Sequence, residues 1–338
     1  MPAASAAAGG ATSGMQHRVC VAPMMDCTDR HCRYFHRLIA PRIGLYTEMV
    51  TARAIVYGDP ERLLCFNHAE HPVALQLGGS EPEVLRRAAA IVRQGFAYDE
   101  LNLNVGCPSD RVQAGRFGAC LMAEPARVAE CVHALAEAWG GAVTVKCRIG
   151  IDERDDYEFL AGFVGTVAAA GCNIFLVHAR NAVLKGLSPK ENRTVPPLCP
   201  ERVYRLKRDF PHLAVVINGG IDSVEAAAAH LEHVDGVMVG RKAYADPCLL
   251  RALQARCVEG SRGVPVERAA IVRQMAVYAA GELQRGTRLQ QITRHMFGLH
   301  AGQPGAARWR RFLADATSRR GADADVLLRS LEIFDAAA

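Results

Sequence analysis

The chain has 338 residues, 50% hydrophobic and 22% charged, with a formal net charge of +5, which is enough for one large domain and a smaller one. No apolar run approaches the roughly 18 residues that read as a membrane span, so no membrane segment is expected and the protein is read as cytoplasmic. The 12 cysteines contain no C-x-x-C pair and are irregularly spaced, which excludes a zinc knuckle or a disulfide framework. His68 with His71, and His230 with His233, have spacings a metal could use, but neither pair has Cys or acidic ligands nearby, and no metal site is expected.

Residues 1–17 lack a basic n-region and a true apolar core, so they read as a disordered tail rather than a secretion signal. Short strand-like runs then recur along the chain: VCVAPM (19–24), LYTEMV (45–50), VALQL (73–77), ELNLNV (100–105), AVTVKC (142–147), NIFLVHA (173–179), AVVING (214–219) and GVMVG (236–240). Between them lie helical patterns, among them 82–94, 125–139, 157–170, 200–208 and 224–231. Continuously apolar strands alternating with helices imply a parallel sheet buried on both faces. Eight such units predict an α/β fold, a (β/α)8 TIM barrel over residues 18–247 with its chemistry at the carboxyl ends of the strands. A doubly wound open sheet is the competing architecture. After Pro247 no strand pattern recurs, so residues 248–338 are expected to form a smaller all-helical C-terminal domain.

The most informative stretch is LNLNVGCPSDRVQAGRFGACLM (101–122), where an apolar strand runs into a Gly-rich loop. Gly106 before Cys107 and Pro108 after it exclude helix there, so the thiol stands on an extended strand exit. The alternative is a buried, inert cysteine. Other strand exits carry Ala22, Pro23 and Met24, then Gln76, Asn102 and Asn104, Lys146 and Arg148, His178 and Arg180, Asn218 with Gly219 and Gly220, and Gly240 with Arg241. In a barrel these converge on one face. Lys146 stands out because only five of the 40 basic residues are lysines, and a lysine kept in an arginine-rich chain suits a place that needs a compact ammonium. The Gly-containing loops after the seventh and eighth runs are where barrels hold a phosphate. An amide, an ammonium and an imidazole donating toward one region suit the polar edge of a flavin. The cofactor expected is therefore FMN, its phosphate on those two loops.

The helical domain carries 14 Arg and 8 acidic residues, a net of +6, against −1 for residues 1–247. Its densest cluster, Arg294, His295, Arg308, Trp309, Arg310 and Arg311, reads either as a solvated face or as a positive, aromatic-interleaved surface for a phosphodiester backbone.

The segments APMMDCTDR, LYTEMV, HPVALQLGG, YDELNLNVGCPSDRVQAGRFGACLM, VTVKCRIG, VHARNAVLKGLSPKENR, INGGI and DGVMVGRKAY resemble the tRNA-dihydrouridine synthases, most closely their A-type branch, and TRHMFGLHAGQPGAARWRR continues the likeness. The resemblance implies FMN-dependent, NADPH-driven reduction of uridine in the tRNA D-loop, at about positions 20 and 20a. It implies a proton-donating cysteine at Cys107, flavin contacts from Gln76, Lys146 and His178, phosphate loops at Asn218 to Gly220 and at Gly240 with Arg241, and an RNA-facing segment Arg180–Arg193 that includes Lys185. Relatives usually have Trp where this chain has Cys27, and Lys242 stands where a small residue is more common.

Reduction at carbon 6 of uracil leaves an enolate that needs a proton at carbon 5, and Cys107 is the expected general acid, with Cys120 as its rival. Asn104 either hydrogen-bonds the uracil edge or ties down the loop. A uridine in folded tRNA must leave its stack to react, and Asn104, Arg180, Lys185, Arg294, Arg308, Arg310 and Arg311 are the expected RNA contacts. A monomer with tRNA as its partner is expected. A small-molecule flavin reductase and a non-catalytic RNA-binding protein are the rival functions.

Overall fold

The computed structural model describes residues 15–335. Eight parallel strands form the core: β1 (Val19–Val21), β2 (Leu45–Tyr46), β3 (Val73–Gly78), β4 (Glu100–Val105), β5 (Val143–Arg148), β6 (Ile174–His178), β7 (Ala214–Asn218) and β8 (Gly236–Val239). The expected second strand, 45–50, is broken, and its far end, Val50–Thr51, pairs separately with β3. Each strand pairs with its successor from β2 round to β8, and β8 pairs with β1. The ring closes at Gly44, whose carbonyl accepts the Val21 N–H and whose N–H donates to Val19, both at 2.9 Å. A Cβ at Gly44 would stand 2.8 Å from Met15 Cε and 2.9 Å from Cys20 Sγ, so a larger residue there would have to displace these two side chains. The architecture is the predicted (β/α)8 barrel, not an open sheet.

Alternation along the strands sorts the side chains. Val19, Val21, Leu75, Leu77, Leu101, Leu103, Val145, Phe175, Val177, Ile217 and Val237 pack outward in the main hydrophobic cluster with the helices. Cys20, Tyr46, Ala74, Leu176, Val216 and Met238 form a second, inner cluster. Three fully buried polar residues, Glu100, Asn102 and Thr144, complete the interior. The helices Pro82–Gly95, Pro125–Trp139 and Pro200–Asp209 each start on proline, whose missing N–H costs nothing in a first turn. Asp29, Asp156 and Ser223 cap the helices that begin at Arg30, Tyr157 and Val224.

Two expected boundaries move. Most of the expected disordered tail, residues 1–14, lies outside the described residues, but Met15 is buried and His17 Nε2 meets Glu100 Oε2 at 2.6 Å, so 15–17 belong to the barrel floor. The helix Cys248–Leu253, beyond the expected boundary at 247, packs on the barrel helices Arg30–Ile39 and Val224–His230. Gln254, which follows it, accepts the Arg42 N–H at 2.8 Å, so this helix belongs to the barrel's outer layer.

The helices that follow, Arg268–Gln284, Leu289–Thr293, Ala306–Thr317, Asp325–Arg329 and Glu332–Asp335, gather around Met275, Ile292, Met296, Trp309, Leu313 and Leu327. They dock on the barrel through the helix Arg30–Ile39. Tyr34 stacks on Tyr278 with ring centroids 4.0 Å apart, His31 Nδ1 lies 2.7 Å from the Tyr278 hydroxyl, and Arg30 pairs with Glu282. Among the described residues no helix is long and apolar enough to cross a membrane, and no group of three His, Cys, Asp or Glu is placed to hold a metal.

Candidate active site

Register decides which residues meet at the mouth. Gln76 lies opposite Asn102, Asn104 opposite Lys146, Arg148 opposite His178, and His178 opposite Asn218, all on the inward phase of their strands. The predicted polar ring is thus assembled by parallel pairing from the strand ends. Gln76 Nε2 donates to Asn102 Oδ1 at 2.8 Å, and Gln76 Oε1 accepts from Asn104 Nδ2 at 2.9 Å. Lys146 Nζ donates to Asn218 Oδ1 at 3.2 Å, and Asn218 Nδ2 donates to the Met238 carbonyl at 2.7 Å. Burial, with the charge of Arg148 added, lowers the Lys146 ammonium to about 8. Burial first, and then Arg148, Lys146, Arg180 and Arg193, hold His178 well below the usual imidazole range, so it stands neutral with one N–H to donate.

Cys107 is half-buried just beyond β4. Its N–H and that of Gly106 donate to Asn104 Oδ1 at 3.0 and 3.1 Å, so Asn104 does tie down the loop. Its Sγ lies 3.5 Å from Ser109 Oγ. Arg148 Nε donates to the neighbouring Gly106 carbonyl at 3.2 Å, and Lys146 lies opposite Asn104 in the register of β4 and β5, so cationic side chains stand on this side of the mouth. Cys120 instead turns its Sγ to the Phe117 carbonyl at 3.2 Å, and its charged neighbours are Glu124 and Arg116. Burial and then Glu124 push the Cys120 thiol up. The two thiols share one β4-to-helix connection but not an environment.

The two loops expected to hold a phosphate lie at the same mouth. Gly219 (φ 112°) and Gly220 (φ 72°) turn the chain out of β7, and a Cβ on Gly219 would meet His178 Cδ2 at 2.8 Å. Arg241 Nη2 reaches the Arg193 carbonyl at 3.2 Å, and Arg180 turns its guanidinium to the Pro196 carbonyl. Burial and the nearby Arg241 lower both Arg180 and Arg193. Like charges gathered this closely fit an anion among them. Ala22 is anchored at the mouth by donating to the Val239 carbonyl at 2.8 Å, Pro23 and Met24 follow it partly exposed, and Met24 N donates to Thr28 Oγ1 at 2.9 Å. The donor set, one buried ammonium, one neutral imidazole, one amide and an arginine cluster at two glycine loops, fits a flavin mononucleotide. Arg148 pins the 180–193 segment by donating to the carbonyls of Asn181 (3.1 Å) and Asn192 (2.9 Å).

The expected RNA contacts divide. Arg310 and Arg311 are exposed, as is Lys185. Arg308 is exposed while capping the Ile333 carbonyl. Trp309, read from the sequence as an interleaved surface aromatic, is fully buried, with Nε1 donating to Ser330 Oγ at 3.0 Å. His295 is buried too. It and Arg294 meet Asp29 Oδ2 at 2.9 and 2.7 Å, clamping the helical domain to the barrel beside the mouth. Burial pushes the Asp29 carboxyl up, but His295, Arg294 and the Cys32 N–H outweigh it and hold it well below the usual carboxylate range. A cavity of about 540 Å³ opens at this junction, lined by Asp29, Arg30, Glu48, Arg62, Gln290 and Arg294. Lys242, unexplained from the sequence, pairs with Asp246 one helical turn away at 3.2 Å. The sequence reading missed Glu100 and Thr144 beneath the ring. The strict alternation of polar 100, 102 and 104 with Leu101, Leu103 and Val105 was the available signal.

The solved structure of morphinone reductase is similar in fold, with a TM-score of 0.50 at 14% identity over 75% of this chain and 88% of that one. Among curated proteins, the tRNA-dihydrouridine(20/20a) synthase of Xanthomonas campestris is 56% identical over 306 residues, 90% of either chain. That of Escherichia coli strain K12 is 55% identical over 317 residues, 94% of this chain and 91% of the relative. The family model for dihydrouridine synthase (Dus) matches residues 20–337. With a match that runs through both the barrel and the helical domain, the chain belongs to the dihydrouridine synthase family.

Proposed function

We infer that this protein is a tRNA-dihydrouridine synthase, a flavin-dependent oxidoreductase that reduces the 5,6 double bond of uridine in tRNA. FMN as the flavin, NADPH as the electron donor, and positions 20 and 20a of the D-loop complete the reading. The positional part is supported by the names of the two relatives described above. The observation that carries the whole is the convergence of Gln76, Asn104, Cys107, Lys146 and His178 on one barrel mouth, beside a positively charged helical domain held there by Asp29.

The flavin, when bound, supplies the hydride that goes to carbon 6 of uracil. Gln76, Lys146 and His178 would hold its polar edge, and Arg180, Arg193 and Arg241, with the glycine loops after β7 and β8, would hold its phosphate. Cys107 gives its thiol proton to carbon 5, and the sulfur keeps the bonding electrons as thiolate. Solvent then returns a proton to the sulfur, and Arg148, bonded to the Gly106 carbonyl beside it, is the cation that adjoins the loop. Asn104, whose amide has one N–H unspent, presents a donor to the uracil edge. The uridine enters by leaving its stack, and Lys185, Arg308, Arg310 and Arg311 steer the RNA backbone, while Arg294 is held in the clamp on Asp29. A monomer acting on tRNA in the cytoplasm completes the reading.

The test is a single-turnover experiment. The bound flavin is reduced anaerobically, unmodified tRNA is added in one arm and free uracil or orotate in the other, and the oxidised flavin spectrum is followed. Rapid return with tRNA alone is the expected outcome. Return with the free pyrimidines alone would make this a small-molecule reductase with an idle helical domain.

A further inference from the structure

The inward side chains of the barrel form one unbroken hydrogen-bonded chain from floor to mouth. At the floor the fully buried Glu100 turns Oε2 to His17 at 2.6 Å, while its Oε1 receives the hydroxyls of Thr144 at 2.6 Å and Tyr46 at 3.0 Å. Thr144 Oγ1 in turn accepts from Asn102 Nδ2 at 2.8 Å. Asn102 Oδ1 accepts from Gln76, Gln76 Oε1 accepts from Asn104, and Asn104 Oδ1 accepts the N–H groups of Gly106 and Cys107.

The direction of this chain follows from what each group can donate. Glu100 Oε1 accepts from the hydroxyls of both Thr144 and Tyr46. The Thr144 hydrogen is therefore spent on Glu100, which leaves its oxygen to accept. Asn102 must then turn its NH2 toward Thr144 and its carbonyl toward Gln76. Gln76 must donate to that carbonyl, so its own carbonyl faces Asn104. At the far end, backbone N–H groups can only donate, which demands the Asn104 carbonyl on the loop side. Both ends impose the same polarity, and each amide has a single solution. One N–H of Gln76 and one of Asn104 are left over, so both amides reach the mouth as oriented donors.

We propose that Glu100, acting through Thr144 and Asn102, is a positioning residue that sets the donor orientation of Gln76 and Asn104 at the barrel mouth. This rests on the reading that those two amides face the flavin and the uracil. The chain orients rather than conducts: an amide passes on a proton only by becoming an imidic acid, so no proton travels along it to Cys107. Its aligned dipoles, ending on a buried carboxylate, reinforce one another in the low-dielectric barrel.

Thr144→Val keeps the side-chain shape and deletes the hydroxyl, whereas Thr144→Ser keeps the hydroxyl. Both are compared with the parent as flavin-loaded protein, by the visible absorption and circular dichroism of the bound flavin and by single-turnover reoxidation with tRNA. Thr144→Val is expected to retain flavin with a shifted visible spectrum and to slow reoxidation by about tenfold, a size suited to lost orientation. Thr144→Ser is expected to restore both. Equal behaviour of the two variants, or a parental spectrum and rate in Thr144→Val, would overturn the proposal. Should Thr144→Val fail to fold, Glu100→Gln, of the same volume, is read in the same way. Gln76→Leu serves as the control: if it shifts the flavin spectrum while Thr144→Val does not, the floor plays no positioning part and the flavin reading survives. If Gln76→Leu also leaves the spectrum unchanged, the flavin reading itself fails.

Discussion

Cys107 and Cys120 both lie in the connection between β4 and the helix Pro125–Trp139, Cys107 at the strand exit and Cys120 in the short 3-10 helix Gly118–Ala123, and their surroundings assign them different tasks. Cys107 is held at the mouth by its N–H on Asn104 Oδ1, with its Sγ 3.5 Å from Ser109 Oγ and Arg148 on the adjoining Gly106 carbonyl. Cys120 is committed to a carbonyl and faces Glu124. Cys107→Ala should keep flavin and NADPH oxidation yet slow tRNA-dependent flavin reoxidation by about 10²- to 10⁴-fold, the usual worth of a general acid. Cys120→Ala should leave that rate near parental. Lys146 makes a pH prediction. Its folded value of about 8 lies below the ordinary 10.5, so below pH 8 the folded state bears the full cost of a buried charge. Between pH 8 and 10.5 the folded protein sheds the proton while the unfolded chain keeps it, and stability from this group rises with pH. In flavin-free protein, Lys146→Met should therefore melt higher than the parent at pH 7, with the gap narrowing toward about pH 10. The same variant should release FMN more readily, because the ammonium opposite an anionic ligand is gone. Melting curves over that pH range and flavin content after dialysis measure the two effects.

At the scale of elements, the helix Arg30–Ile39 joins the two parts of the molecule. Asp29 caps it with Oδ1, accepting the N–H groups of His31 and Cys32 at 3.0 Å, and clamps Arg294 and His295 with Oδ2. Asp29→Asn keeps a competent cap but removes the charge from the clamp, so about 2 kcal/mol of stability should be lost. A carboxyl held low in the folded state contributes stability that is fully present above its unfolded value, near about pH 4, and is lost as the pH falls through the folded one. The difference between parent and Asp29→Asn should accordingly be flat above about pH 4 and vanish only in strong acid. Thermal unfolding followed across pH, with limited proteolysis of the helical part, gives the comparison. The β7 exit is equally specific: Gly219→Ala places a Cβ 2.8 Å from His178 at a φ of 112°, and flavin retention should fall with little change in tRNA affinity.

For the molecule as a whole, charge and packing in the helical domain are separate quantities that the sequence presents as one run. Arg308, Arg310 and Arg311 lie on the surface around a Trp309 that fills the domain core. Replacing the three arginines with Gln should raise the apparent Michaelis constant for tRNA and flatten its salt dependence, by up to about 0.9 in slope for each phosphate no longer neutralised, with the fold intact. Trp309→Ala should instead cost about 3–5 kcal/mol and unfold the helical part. Salt titrations of tRNA binding set beside melting curves distinguish the two, and an unchanged salt slope in the arginine variant would leave that face merely solvated.

The sequence by itself determined the barrel and most of its mouth, because both rest on local signals. Eight apolar runs of strand length, prolines at helix starts and a Gly-Cys-Pro exit constrain the backbone within a few residues of themselves. Once the strands are parallel and in order, residues at strand ends must share one face, which is why Gln76, Cys107, Lys146 and His178 were legible as a group. What lies between distant segments was not. The buried Trp309, the Asp29 clamp with Arg294 and His295, and the descent from Asn104 to Glu100 join positions as far as 266 residues apart. Whether an arginine meets a phosphate or an aspartate, and whether a tryptophan stacks on a base or fills a core, depends on which surface folds against it. Composition cannot supply that partner, and only the tertiary structure brings it within hydrogen-bonding distance.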